Sequence, residues 1–560
     1  MAPAMSRSSA PLIFLALCAC RSTPAGPGPG DPAALVERYL DEKLASSPEM
    51  GRYLGLHEYD GKVSTYSEVE ATRRIEAARA HLALVGRVDP QTVVDPTRLD
   101  LELSRLDAEA TIFRLESLQQ HHKILSYAGI YDVSGYLVRD YAPLPKRVAA
   151  MLDHLDGINT QVDGILAMLD AAQVKTHLAT ANKAFGGLKE YFNGDLATLT
   201  KPARDVDPAL EARYQATVQV SLQRIQQILD WIAAHQATAT SDYALGEQKF
   251  LALIAANEGL KITLPELTEM AQADFQRNYD AFVATAKQID AKKTVQEVAA
   301  MVAAERLPAD QVLPTARQQL VELLAFIDAN PIITIGSTDR ATVVESPPFM
   351  RWNSAFLDSA GPFEKAAGSF YYISPPDPTW PKDVQESYLP YAADLLATSI
   401  HEVYPGHFVQ GLQVRRAKSR AQKMLDSYAF VEGWAHYTEQ MMLDAGFGGG
   451  DPRVKLGQLS NALLRNCRFL AAIGLHTGGM TVEQADRLFQ DQCFIDPGNA
   501  IQQAYRGTFD PGYFSYTLGK LQIMALRERY FQKHGQDLRA FHDWLLSYGS
   551  SPVALIGDRL

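Results

Sequence analysis

The stretch His401-Glu402-Val403-Tyr404-Pro405-Gly406-His407 carries the residue types of a zinc hydrolase centre at an unusual spacing. Two histidines four apart on a helix, with a glutamate directly after the first, can bind zinc from one face while the glutamate activates water. Here the second histidine comes two positions too late, about 600° around an ideal helix, so it would point about 120° away from the first. An unbroken helix therefore cannot make this site. Pro405 removes a backbone donor and Gly406 accepts unusual dihedrals, so a two-residue bulge or a helix end between the histidines is expected to swing His407 back toward His401.

A catalytic zinc needs three protein ligands and one open position. Glu432 is the first candidate for the third ligand and Glu439 the second. Both lie on a stretch, residues 427–442, that reads as a helix capped by Ser427. His436 and Glu439 share one helical stripe with Glu432, and the neighbouring Phe430, Val431, Trp434 and Tyr437 are apolar or aromatic. A buried helix with a polar stripe suggests the wall of a polar cleft, where His436 and Glu439 would orient the ligands by hydrogen bonds. Gly433 costs such a helix about 1 kcal/mol relative to alanine, which is understandable if a second helix must approach closely there. Glu402, beside the first ligand but angled away from the metal, is the expected general base, taking a proton from water and passing it to a leaving amine.

With both segments in view, the chain resembles the bacterial domain of unknown function 885, whose members carry His-Glu-x-x-Pro-Gly-His followed by Glu-Gly-Trp-Ala, here Glu432-Gly433-Trp434-Ala435. The resemblance covers most of the chain after its leader, most specifically residues 340–530, and implies a helical, zincin-like metallopeptidase fold. The chain departs from the pattern at Ala472-Ile473-Gly474-Leu475-His476, where relatives tend to read Asp-Thr-Gly-(Leu/Ile)-His. It departs again at Phe408, where relatives often have a second histidine; this favours His407 as the ligand. Gly512-Tyr513-Phe514-Ser515-Tyr516 also resembles the Gly-Tyr-x-x-Tyr segment of helical oligopeptidases related to thimet oligopeptidase, in which a tyrosine donates to the tetrahedral oxyanion. That implies Tyr516 as the donor, with Tyr513 as the alternative. His476 and Arg506 are candidates for gripping polar or carboxylate groups of a substrate.

The elements that must position these residues read as mainly helical. Apolar residues recur at three and four spacing over residues 34–44, 98–118, 144–169, 210–237, 264–286 and 314–327. Short β-prone runs lie at 332–335, 341–344 and 369–373 and predict a small sheet, with 369–373 either an edge strand that binds an extended substrate or part of a structural hairpin. Pro390 is expected in the first turn of the helix that carries His401. The resulting expectation is a two-lobed helical enzyme, with a helical lobe at 33–330 and a catalytic region with a minor sheet at 331–560.

A formal charge of −12 and the lack of a lysine and arginine stripe argue against nucleic acid and for a small or peptidic substrate. Residues 1–20 read as a lipoprotein signal peptide: Leu12 to Leu17 is too short to span a bilayer, and Leu17-Cys18-Ala19-Cys20 resembles a lipobox. Cys20 is the expected lipid anchor, followed by a Pro/Gly-rich tether at 21–32. Cys467 and Cys493 are equally compatible with a disulfide and with buried thiols. These readings combine into a zinc-dependent peptidase, with one Zn²⁺ per chain, acting on short peptides at the bacterial cell envelope. A zinc hydrolase of another amide or ester, or an inactive envelope-binding lipoprotein, is the alternative.

Overall fold

The computed structural model describes residues 31–347, 350–351, 354–365 and 368–560. The expected signal peptide, Cys20 and nearly all of the tether lie outside the described residues. The chain enters its first helix, Pro32–Ser46, with Asp31 as cap and Pro32 in the first turn, where its missing N–H costs nothing. No helix among the described residues is long and apolar enough to cross a membrane.

The protein is mainly helical, as the periodicity predicts, but two expected helices are divided. The 144–169 pattern folds as Leu144–Asn159 and Val162–Met168. The 98–118 pattern is α-helical over Thr97–Ile112 and then widens into a π turn over Phe113–Ser117. Conversely, Pro314 does not start a helix but lies inside Ala309–Ala329. It falls in the second turn, where only one backbone hydrogen bond is forfeited.

Among the described residues the sheet has three strands, β1 (Ala341–Glu345), β2 (Ala355–Asp358) and β3 (Ser369–Ile373), in the order β1-β3-β2. β1 runs parallel to β3 with Ala341 opposite Ser369, and β2 runs antiparallel with Leu357 opposite Tyr371. This corrects two expectations. Residues 332–335 form no strand; Ile332 and Ile333 are instead buried in the core against helical neighbours. β3 is the central strand, hydrogen-bonded on both sides, so its backbone has no free edge to offer an extended substrate.

Four apolar cores hold the elements together. One runs through residues 124–232 and belongs entirely to the amino-terminal half. Another joins helices of residues 36–106 to Ala421, Met424 and Leu425. A third unites Phe250 to Val302 with Leu456 to Leu518, and so draws on both sides of residue 330. The fourth contains β1, β3, both halves of the His401 motif and Trp434. Cys467 and Cys493 are disulfide-bonded within the third core, their α-carbons 6.4 Å apart.

Candidate metal centre

The helix Ala392–Glu402 presents His401 one residue before its end and buries Leu395, Leu396 and Ile400. Pro390 is not in its first turn; Tyr391 is the cap and Pro390 precedes it. The chain then turns through Val403 to Gly406 and starts a second helix at His407, running to Arg415. Of the two rescues expected for the motif, the helix end is therefore the one adopted. Gly406 makes it possible: its N–H donates to the Ile400 carbonyl at 3.0 Å, and a Cβ there would lie 1.8 Å from the His401 carbonyl oxygen. No other residue fits so close to backbone. The fold-back brings the His401 and His407 rings to a centroid distance of 4.8 Å at 84°.

The Glu432-Gly433-Trp434-Ala435 segment lies on the helix Tyr428–Asp444, whose cap Ser427 accepts from the Phe430 N–H at 2.9 Å. The segment's first three residues have separate tasks. Glu432 aims one carboxylate oxygen, Oε2, at His401 Nε2 (3.4 Å) and His407 Nε2 (3.5 Å). Trp434, fully buried, donates from its indole to the carbonyls of Pro405 (3.0 Å) and Gly406 (3.3 Å), and so ties down the turn between the histidines. Gly433 meets Gly519 of the helix Ser515–His534, where a Cβ on either would collide with the other helix's backbone. The close approach expected at Gly433 is thus real, and it is what carries Tyr516 to the histidines.

Behind His401 stands a carboxylate. Glu439, with no exposed surface, lies 2.7 Å from His401 Nδ1, leaving Nε2 to face Glu432. Arg465 (3.1 Å) and His436 Nδ1 (3.2 Å) contact Glu439 in turn. Burial opposes charge on Glu439, but the Arg465 guanidinium and hydrogen bonds from His401 and His436 hold the carboxyl well below the usual carboxylate range. Burial also pushes His436 down to about 3, aided by the Lys520 ammonium, so it is neutral and touches Glu439 rather than either motif histidine.

His401, His407 and Glu432 offer one ligand atom each within 4.8 Å of one another. Glu432 Oε2 is buried without a hydrogen-bond partner, although two imidazole nitrogens face it. Separations of 3.4 and 3.5 Å are long for hydrogen bonds. They match the edge of a tetrahedron with arms of about 2.1 Å, the bond length of zinc to nitrogen and oxygen ligands. The donor set fits a zinc ion. Glu439 supplies the carboxylate that such histidines commonly engage through their other nitrogen.

Glu402 points elsewhere. Its Oε2 accepts from the Leu357 N–H at 3.0 Å, so the edge strand of the sheet that faces this centre is β2, which periodicity had not revealed. Burial pushes the Glu402 carboxyl up, against the pull of His407 and His401. Tyr516 is nearly buried, with its ring stacked 6.3 Å from that of His401 and its hydroxyl 3.5 Å from Arg506. Arg506 also donates to the Tyr428 hydroxyl (2.9 Å) and pairs with Asp510 (2.9 Å).

Two expected substrate contacts are core residues instead. His476 is 1% exposed, lies 2.8 Å from the Gly507 carbonyl through Nε2 and stacks on Phe250. Tyr513 is fully buried with its hydroxyl against Gly507, where a Cβ would lie 2.3 Å away. Neither is open to a substrate. Arg465, Arg468 and Tyr428 flank the centre and were not foreseen. The available signal was two arginines about one helical turn apart, at 465 and 468, beside the apolar residues Leu463, Leu464, Phe469 and Leu470.

Solved structures with this fold include two described as lipoproteins. One, a candidate lipoprotein of unknown function from Shewanella oneidensis, is 22% identical with a TM-score of 0.77 and covers 94% of this chain and 99% of its own. The other, a candidate lipoprotein from Colwellia psychrerythraea, is 17% identical with a TM-score of 0.79, over 94% and 98%. No curated protein matches the sequence. Residues 48–560 match the family described as bacterial protein of unknown function, DUF885. With nine-tenths of its length inside that match, the chain belongs to the DUF885 family.

Proposed function

We propose that this protein is a zinc-dependent peptidase that hydrolyses short peptides. The observation that carries the reading is the convergence of His401, His407 and Glu432 within 4.8 Å, the Glu432 oxygen 3.4 and 3.5 Å from the two imidazole nitrogens, with Glu402 next to the first histidine. Zinc held by these three side chains would supply a Lewis acid for a peptide carbonyl and water that ionises near neutral pH. Glu402 accepts the proton of the attacking water and delivers it to the leaving amine. The Leu357 N–H keeps one of its oxygens fixed, so proton transfer falls to the other. Glu439 holds the His401 ring in place, and Arg465 keeps Glu439 ionised. Tyr516, beside the His401 ring, donates to the oxyanion as the carbonyl becomes tetrahedral.

The test is digestion of a peptide library by purified protein, read by mass spectrometry with and without a chelator. Chelator-sensitive products support the reading; no product from any peptide turns it toward another amide or ester, or toward a binding lipoprotein. Tyr516→Phe is expected to lower turnover by about 10² to 10³, or on the order of 3 kcal/mol in the transition state. Its zinc content should match wild type, because the hydroxyl is not a ligand. Wild-type turnover in that variant would remove Tyr516 from the mechanism.

The same reading makes the enzyme a lipoprotein of the bacterial cell envelope. Its support is the Leu17-Cys18-Ala19-Cys20 segment, the two solved relatives described as candidate lipoproteins, and a disulfide of the kind oxidising compartments permit. Cys20→Ser is expected to move the protein from the membrane fraction to the soluble one. The intact mass of the native amino terminus is the check; an unmodified end beginning at another residue would mean free secretion.

A further inference from the structure

Among the described residues, Arg468 is a buried cation without a counter-charge. It lies on the helix Pro452–Thr477, three residues after Arg465, and is 8% exposed. Its Nε donates to Gln503 Oε1 at 2.9 Å, and among the described residues no carboxylate pairs with it. Its guanidinium carbon lies 4.8 Å from the centroid of the Tyr516 ring, which Arg465 and Arg506 also approach, at 5.7 and 5.8 Å. Those two cations are balanced, Arg465 by Glu439 and Arg506 by Asp510. Burial and the positive field of Arg506 both depress the pKa of Arg468, the reverse of what a structural ion pair does. A guanidinium taken out of water is costly unless a charged partner reaches it. Its planar fork suits a carboxylate held by two parallel hydrogen bonds.

We infer that Arg468 receives the terminal carboxylate of the substrate, so that the centre works from the carboxyl end of short peptides. This rests on the peptidase reading and narrows its substrate class. The Tyr516 ring neighbours both groups, 6.3 Å from the His401 ring and 4.8 Å from the guanidinium, and the two distances together bound the separation. Extended chain covers about 3.5 Å per residue, so a carboxylate on Arg468 sits no more than about three residues beyond a carbonyl at the metal centre. Cleavage then releases one to three carboxyl-terminal residues. Arg506, the arginine that sequence reasoning singled out, serves instead to hold Tyr428 and Tyr516.

The test is equilibrium binding to zinc-loaded Glu402→Gln protein, which holds peptides without turning them over. Acetyl-tetra-alanine is compared as free acid, as carboxyl-terminal amide, and as an amide with glutamate in the last position. The free acid is expected to bind about 10- to 100-fold more tightly than either amide. Adding Arg468→Met should erase that preference while leaving the plain amide's affinity unchanged, and Arg468→Lys should keep part of it. Equal binding of acid and amide, no binding of any probe, or a preference that survives Arg468→Met overturns the assignment. Tight, Arg468-dependent binding of the glutamate amide overturns the carboxyl-end rule in favour of an acidic side chain. Should Arg468→Met fail to fold, the comparison of acid with amide and the lysine variant still decide. Wild-type digestion of the same peptides separates the two readings: hydrolysis of acid and amide alike leaves the peptidase and removes the Arg468 role. Acid-selective binding without hydrolysis does the opposite.

Discussion

Replacing Glu402 by glutamine is expected to cut peptide turnover by roughly two to four orders of magnitude while leaving the fold and zinc content intact. Glutamine preserves the size of the side chain and an oxygen that accepts from the Leu357 N–H, so the tie to β2 survives. Only basicity is lost. Burial raises the Glu402 carboxyl toward the range where it can both take a proton from water and return it to an amine. Substrate affinity should hardly change, because the proton moves only on the way to the transition state. The check is steady-state kinetics beside elemental analysis of the same sample. Near wild-type turnover with zinc retained would rule out Glu402 as the base.

The second large effect concerns the metal. His407→Ala or His401→Ala is expected to abolish tight zinc binding, against about one ion per wild-type chain, and with it all chelator-sensitive activity. The two losses should differ in their structural consequence. His401 is anchored from behind by Glu439, so its removal also leaves a fully buried carboxylate with one partner fewer, and thermal stability should fall. His407 is partly exposed, with Glu432 shared between it and His401, so its removal should cost less stability than that of His401. Undiminished zinc in the His407 variant would remove it from the ligand set.

Both predictions rest on a turn whose necessity was legible and whose course was not. Two histidines with a proline and glycine between them cannot serve one metal from a regular helix, so a break was required by helix geometry alone. Whether that break is a bulge or an end depends on what occupies the space beside it. Here the Trp434 indole, far along the chain, donates to the Pro405 and Gly406 carbonyls inside the break. Backbone groups freed by proline must be satisfied, and no local pattern says by whom.

The sheet illustrates the same division. Two of its strands announce themselves by β-branched and aromatic residues, but β2, Ala355–Asp358, carries no comparable pattern. The run at 332–335 has the composition of a strand and is taken into the core without pairing. Strand identity is settled by which neighbour supplies hydrogen bonds, and edge or centre by the order of pairing; both are nonlocal.

What the sequence determined by itself is the chemistry on offer: a helical chain of negative net charge, with two histidines, Glu402 and Glu432 in the order and spacing of a metal-site motif, and a leader that resembles that of a lipoprotein. Residue type, helical period and ligand number carry that much, because each acts over a few neighbouring positions. Only the tertiary structure decided which partners those residues keep. It gave His401 to Glu439, buried His476 and Tyr513 in the core, and left Arg468 beside Tyr516 with no carboxylate partner among the described residues. The physical reason is that burial and charge pairing are sums over groups brought together from distant parts of the chain, so the same arginine or histidine in the sequence is a structural prop or a binding group according to what packs against it.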